Sequence, residues 1–413
     1  MSLQQIDATL QRELQQLAEQ GRAKPRERVI TDYVPAKNGS GPRYRLEGQQ
    51  GLFIRMNSNS YLSLGNHPAL IAAADEATRR FGTGPGAVRF IDGTYCHHTA
   101  LEKRIALFMD KPAAKIFNSA YTANCGLALA INSATTLWAG DRLNHNSIIR
   151  AMRICGVPGE NKAIFNHNDV QDLDRCLDSA APGITRVIVV FDGIFSMRGD
   201  FAPTDRILQV IEKHKDRFAD GIISVIDDSH GIGAYGKTGR GTAEFCGAAP
   251  DIIVGTFGKA FGVNGGFVCT SATIVETIRQ KADTYIYTNP LSMADCAAAT
   301  RAIDICDSKE GLDLLKTLNR RTRQFREGLE QIGLETIPGP HPIVPLLVRD
   351  TMRTRMLVNG LFDHGILAVG LTFPVVPKGD ETIRFQINCA HTKADIDYVL
   401  EIMAKLVKKQ GCK

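Results

Sequence analysis

The sequence contains no stretch of about 18 apolar residues, the length a helix needs to cross a membrane, so no membrane partner is expected. Its ten cysteines are scattered and form no C-x-x-C pair. That spacing removes a disulfide frame and a zinc site, and leaves reduced thiols in a cytoplasmic setting as the expectation. The formal net charge is +5, and no run of lysine and arginine concentrates it. Nucleic acid is therefore not an expected partner, while an anionic small substrate is weakly favoured. The opening MSLQQIDATLQRELQQLAEQG lacks a continuous apolar run and carries Asp7, Glu13 and Glu19, so it is expected to be neither a signal peptide nor an acid-poor transit peptide. No internal repeat or low-complexity tract is visible.

What remains is an ordinary globular composition, 44% apolar and 23% charged over 413 residues, enough for one large and one smaller domain. Ile6, Leu10, Leu14 and Leu17 recur at helical spacing and predict an amphipathic helix that docks on something. RAKPRERVITDYVPAKNGSGPRY reads as a connecting arm with little core of its own. Near-continuous apolar runs then alternate with helical patterns: RVIVVFDG (186–193), IISVIDD (222–228), DIIVGTFG (251–258) and GGFVCTS (265–271). Strands buried on both faces and separated by helices predict an α/β layer with a mainly parallel sheet. Helical patterns from about 292 to 332, then IVPLLV, ILAVGL, TIRFQI and a final helix, predict a smaller α+β C-terminal domain. The expected organisation is a helix and arm over 1–55, a large domain over 56–300 and a small domain over 301–413.

Residues 230–241, HGIGAYGKTGRG, match the G-x-x-x-x-G-K-[ST] spacing of a phosphate-cradling loop through Gly231, Gly236, Lys237 and Thr238. Such a loop needs its strand to end at the first glycine and a helix to begin at the Lys-Thr pair. Here four polar residues, Asp227 to His230, intervene, and Gly239-Arg240-Gly241 is a poor helix start. A glycine-rich turn leaving a strand is the expected structure, with a nucleotide-binding loop as the reading from another class.

Three strand ends line up in order: Asp192 and Ser196 in FDGIFSMRGD, Asp227 and His230 in VIDDSHG, Thr256 and Lys259 in VGTFGKAFG. In a parallel sheet all three open at one carboxyl edge, where ligands bind. A lysine held among apolar residues there is desolvated toward the neutral amine, the form that makes a Schiff base with an aldehyde cofactor. Asp227 is placed to keep a pyridine nitrogen protonated.

The pattern D-D-S-H-x-x-G followed about thirty residues on by T-x-G-K-A-x-G resembles the α-oxoamine synthases, fold-type I, pyridoxal-phosphate-dependent acyltransferases that join an amino acid to an acyl-CoA. The resemblance runs from about residue 57 to residue 392, through NSNSYLSLGNHP, VRFIDGT, FNSAYTANCG, DRLNHNSII, YIYTNPL, FPVVPKG and TIRFQINCAHT. It implies a homodimer with active sites at the subunit interface. It implies Lys259 as the Schiff-base lysine, Asp227 as the partner of the pyridine nitrogen and His145 stacked on the ring. His230 and Ser196 would lie near the phenolic oxygen, with His230 also polarising the thioester carbonyl. Thr256 and the backbone amides of Ala120 and Tyr121 would hold the phosphate, and Thr288 would reach that of the other subunit. Asn59 and Arg384 would grip the substrate carboxylate. Read as bare residues, the threonines are more often strand-end hydroxyls, Ser196 is a turn hydroxyl, His145 is a loop histidine capping a turn, and a lone strand arginine is usually a surface residue.

Three positions depart from the family pattern: Ser63 replaces a usual glycine, Asn146 a common alanine, and Ala120 a typical cysteine or glycine. They leave substrate identity open. VRFIDGT, the tail FPVVPKG…IRFQ…AHT and the entry RERVIT resemble glycine C-acetyltransferase (2-amino-3-ketobutyrate CoA ligase) most, which implies glycine and acetyl-CoA as substrates. Relatives acting in 8-amino-7-oxononanoate, 5-aminolevulinate or serine palmitoyl chemistry, and an acyltransferase of secondary metabolism or signalling, stand as the alternatives.

Overall fold

The computed structural model describes residues 2–409. The chain packs as two units, Asn59–Asn319, and a second made from residues up to Ser58 together with those from Arg320 onward. In the second unit the predicted helix forms over Ser2–Glu19 but buries none of its residues, and Ile6, Leu10 and Leu14 stay exposed. The docking expected of it is therefore absent among the described residues. The expected arm carries strands β1 (Ile30–Val34) and β2 (Arg43–Leu46), paired antiparallel, and β3 (Ile54–Arg55).

The unit Asn59–Asn319 is built on seven strands: β4 (Ala113–Phe117), β5 (Thr136–Asp141), β6 (Lys162–Phe165), β7 (Arg186–Asp192), β8 (Ile222–Asp227), β9 (Ile252–Thr256) and β10 (Gly266–Thr270). Their order is β4-β10-β9-β8-β7-β5-β6. Only β10 opposes its neighbours β9 and β4, so the sheet is mainly parallel, as the uninterrupted apolar runs predict. Val187 to Phe191 on β7 are at most 2% exposed, which requires cover on both faces. On one face the helix Ala120–Ile131 supplies Ala123, Leu127 and Ala128 against Ile188, Val225, Val254 and Val268.

The remaining strands, β11 (Ile343–Leu347), β12 (Ile366–Leu367), β13 (Val369–Leu371) and β14 (Thr382–Gln386), belong to the second unit. β14 lies between β11 and β13, and β12 pairs parallel with β3. Gly41 N donates to Asp395 Oδ2 at 2.9 Å, and Arg43 forms a 2.5 Å ion pair with the same carboxylate. These contacts and the β3–β12 pair draw the segment expected to stand apart over 1–55 into one unit with the C-terminal part. The change of unit falls within the helix Lys309–Gln331 rather than at 300/301.

Candidate active site

β7, β8 and β9 are parallel and in register, with Asp192 opposite Asp227 and Asp227 opposite Val254. Asp192, Asp227 and Thr256 therefore leave the sheet at one edge, and Lys259 emerges just beyond, in the turn from β9 to β10. Asp227 is 5% exposed, and each oxygen of its carboxylate accepts a hydrogen bond. Oδ2 accepts from Asn124 Nδ2 at 2.7 Å and Oδ1 from Ser229 N at 3.1 Å. The Asn124 amide also donates to Ser147 Oγ (3.0 Å), which lies 2.7 Å from His145 Nδ1. Ser147 N donates to the same Nδ1, so a neutral His145 ring carries its proton on Nε2.

Four side chains thus form a continuous polar path, His145–Ser147–Asn124–Asp227. His145 is exposed as a residue, yet enough protein surrounds the ring to lower its pKa; the Asp227 charge opposes that shift and Lys259 adds to it. Asp192 behaves oppositely. Burial and then the Asp227 charge push its pKa well above the usual carboxylate range, against Lys259 and the His145 N–H, which donates to Oδ2 at 3.0 Å. Its Oδ1 is buried without a partner among the described residues.

His230 is buried, with Nδ1 2.7 Å from the hydroxyl of the fully buried Tyr61. Lys259 is half-buried in a turn whose Phe257, Ala260 and Phe261 are at most 1% exposed. Ser196 is half-buried in the turn after β7. Thr256 Oγ1 donates to Gly265 O and accepts from Gly258 N, both at 3.0 Å, so it braces the Lys259 turn.

The helix Ala120–Ile131 is capped by Ser119, whose hydroxyl accepts from Thr122 N. Ala120 and Tyr121 are its first two residues, where backbone N–H groups have no intrahelical acceptor and attract anions. A Cβ on Gly266 would lie 2.2 Å from Ala120 N, so only glycine lets β10 approach this helix end. Thr288 is next to the same end, accepting from Asn118 Nδ2 at 3.2 Å. Asn59 is half-buried in a loop of the same unit; Arg384 stands on β14 of the other unit.

A buried carboxylate with two donors, a lysine beyond the next strand and two helix-end amides on one sheet edge form a donor set that fits pyridoxal phosphate. Sequence reasoning set Asp192 at the ligand edge without a role and assigned no part to Asn124, Ser147 or Tyr61. Asn124 had one visible mark, a polar residue inside the small and apolar helix AYTANCGLALAI. Of the three departures, Ser63 is left-handed at φ 56°, the conformation that makes glycine usual there.

HGIGAYGKTGRG is not a phosphate-binding loop. Glu244 already supplies an anion, accepting from Thr238 N (3.0 Å), Thr238 Oγ1 (2.6 Å) and Arg240 N (3.0 Å). The next helix, Thr242–Phe245, is one turn long and starts four residues too late. Two of its glycines answer to packing: a Cβ on Gly231 or Gly241 would lie 2.0–2.1 Å from the Asp228 carboxylate.

A model of the family "aminotransferase class I and II" matches residues 53–403. An 8-amino-7-oxononanoate synthase of Geobacter sulfurreducens is 36% identical over 401 residues, covering 97% of this chain and 98% of the relative. A mitochondrial 2-amino-3-ketobutyrate coenzyme A ligase of Bos taurus is 33% identical over 413 residues, 99% of this chain and 94% of the relative. Among solved structures, a serine palmitoyltransferase of Sphingomonas wittichii superposes with TM-score 0.87 at 26% identity, covering 99% and 98% of the two chains. A serine palmitoyltransferase solved with its PLP internal aldimine superposes with TM-score 0.84 at 27% identity, covering 98% of each. The chain belongs to the aminotransferase class I and II family as an α-oxoamine synthase, and with that membership it is a fold-type I, pyridoxal-phosphate-dependent acyltransferase.

Proposed function

We propose that the protein condenses a small amino acid with an acyl-CoA and releases CoA, glycine and acetyl-CoA being the favoured pair. The observation that carries the reading is the path His145–Ser147–Asn124–Asp227 on the sheet edge where Lys259 emerges. When bound, pyridoxal phosphate supplies an electron sink for proton loss at the substrate's α-carbon. Asp227, which accepts from two donors, would hold the proton on the pyridine nitrogen. The Lys259 amine would anchor the cofactor and then take the α-proton. His145 would cover the ring. Ser196 and His230 would face the phenolic oxygen, and His230 would also donate toward the thioester carbonyl.

Thr256 and the Ala120 and Tyr121 amides would hold the phosphate, joined by Thr288 reaching across to a second subunit of a cytoplasmic homodimer. Asn59 and Arg384 are assigned by resemblance to the substrate carboxylate, which a guanidinium can bind bidentately. The glycine and acetyl-CoA choice draws support from VRFIDGT and the C-terminal tail, and from the 33% identity to the bovine ligase. A second reading, 8-amino-7-oxononanoate synthesis, is favoured by the 36% identity to the Geobacter sulfurreducens enzyme.

A panel of amino acids against acyl-CoAs of different chain length, scored by free-thiol release, separates the two. Glycine with acetyl-CoA is expected to give the highest kcat/KM, and no release with any pair removes the acyltransferase reading. Lys259→Ala should abolish release and the yellow lysine-linked chromophore together; a chromophore that persists in that form removes the lysine assignment.

A further inference from the structure

A second polar assembly lies beside the candidate active site and takes no part in the chemistry above. β5 ends at Asp141 and β6 at Phe165, which face each other in register. Two residues beyond β6 stands His167. Its Nδ1 is 3.1 Å from Asp141 Oδ1, and its Nε2 is 3.1 Å from Asp200 Oδ2. The ring meets Phe195 edge-on, with centroids 4.3 Å apart. A neutral imidazole has one N–H, whereas both nitrogens here face a carboxylate, so filling both contacts takes the imidazolium.

Each carboxylate is itself tied to a functional segment. Asp141 accepts from Leu143 N at 2.8 Å, in the loop that ends at His145, and from Asn168 N at 2.9 Å. The Asp200 carbonyl accepts from Phe195 N at 3.0 Å and closes the turn that carries Ser196, while Arg198 Nε donates to its side chain at 2.9 Å. We propose that His167 is a positioning residue whose doubly protonated ring ties the loop carrying His145 to the turn carrying Ser196. The consequence for catalysis rests on the reading that these two side chains flank the cofactor; the tie itself does not.

Asp141, Asp200 and Arg198 are the charged groups in this cluster. Burial alone would lower the His167 pKa, but the two carboxylates outweigh it and raise the value to about 9. A folded-state value above the ordinary 6.5 means that the tie is fully present below that pH and is lost as pH rises through about 9.

Hydrogen–deuterium exchange of the holoenzyme, read by mass over 142–148 and 194–201, tests the tie without turnover. In His167→Gln both segments should exchange about tenfold faster at pH 7, the loss expected for one charge-assisted contact. In Asp200→Asn only 194–201 should loosen. In the wild type both should loosen as pH passes about 9, once intrinsic exchange is corrected for. Unchanged protection in His167→Gln, loosening spread evenly over β7 and β8, or an Asp200→Asn protein that loosens neither segment overturns the proposal. If His167→Gln does not fold, Asp200→Asn and the wild-type pH series still decide. An enzyme that releases no thiol with any substrate pair would leave these exchange results as they stand, so the two failures are told apart.

Discussion

The Asn124 amide donates to Asp227 Oδ2 across 2.7 Å, within a pocket where Asp227 is 5% exposed. A donor to the charged carboxylate favours that form, which is the form needed beside a protonated pyridine nitrogen. Removing it takes away one of the donors that, with Ser229 N, hold this side chain. Asn124→Ala should therefore weaken cofactor retention by about tenfold or more, since hydrogen bonds to charged groups contribute about 1.5–3 kcal/mol. Asn124→Asp should be worse, because it replaces a donor to the Asp227 carboxylate with a like charge. Equilibrium dialysis followed by cofactor absorbance reads both; equal retention in the two variants and the wild type would remove Asn124 from the site.

Gly266→Ala tests the helix end. The added Cβ would lie 2.2 Å from Ala120 N and 2.3 Å from Ser119 C, both backbone atoms that cannot swing aside. The start of helix Ala120–Ile131 must shift, with overpacking of this kind costing about 1–3 kcal/mol. Phosphate-dependent stabilisation should fall more than the Tm in phosphate-free buffer. A variant that keeps the full Tm gain from added pyridoxal phosphate would show that these amides do not hold the anion.

The parallel sheet and the edge bearing Asp192, Asp227 and Thr256 were legible because uninterrupted apolar runs, each ending in a polar group, specify strands and their carboxyl ends. Asn124 was not legible. Which face of a small-residue helix meets Asp227 depends on the order β4-β10-β9-β8, and β10 running against its neighbours is not written in GGFVCTS. His167 was missed for a related reason: Asp141, His167 and Asp200 meet only because β5, β6 and β7 are neighbours. The contacts of the N-terminal arm were equally hidden, since Gly41 and Arg43 reach Asp395 across more than 350 residues of chain.

The glycines of HGIGAYGKTGRG respond to a different demand from the one their spacing suggests, and substitution separates the two. Gly241 has φ +89° and no room for a Cβ, which would lie 2.0 Å from Asp228 Oδ2. Gly241→Ala should cost about 2–4 kcal/mol, combining left-handed backbone strain with overpacking. Lys237 is exposed, so Lys237→Ala should stay within about 0.5 kcal/mol of the wild type. ATP should not raise the Tm of either protein. A nucleotide-dependent rise that Lys237→Ala abolishes would restore the nucleotide-loop reading.

Asp228 itself gives the fold a pH dependence of definite sign. It is 1% exposed and accepts from Thr242 N at 2.5 Å and from Thr242 Oγ1 at 2.7 Å. Burial raises its pKa to about 6, against those two donors and aided by the neighbouring Asp227 charge. An acid whose folded pKa lies above its unfolded value favours folding in the protonated form. Its contribution is complete below the ordinary 3.8 and is lost as pH rises through about 6. A shift of this size corresponds to a difference on the order of 3 kcal/mol. Asp228→Asn keeps the shape and removes the titration, so the stability of the wild type relative to this variant should fall from pH 4 to pH 6 and stay level above. Denaturant unfolding of both proteins across that range measures the difference, and a flat difference would mean that Asp228 titrates alike in the folded and unfolded chain.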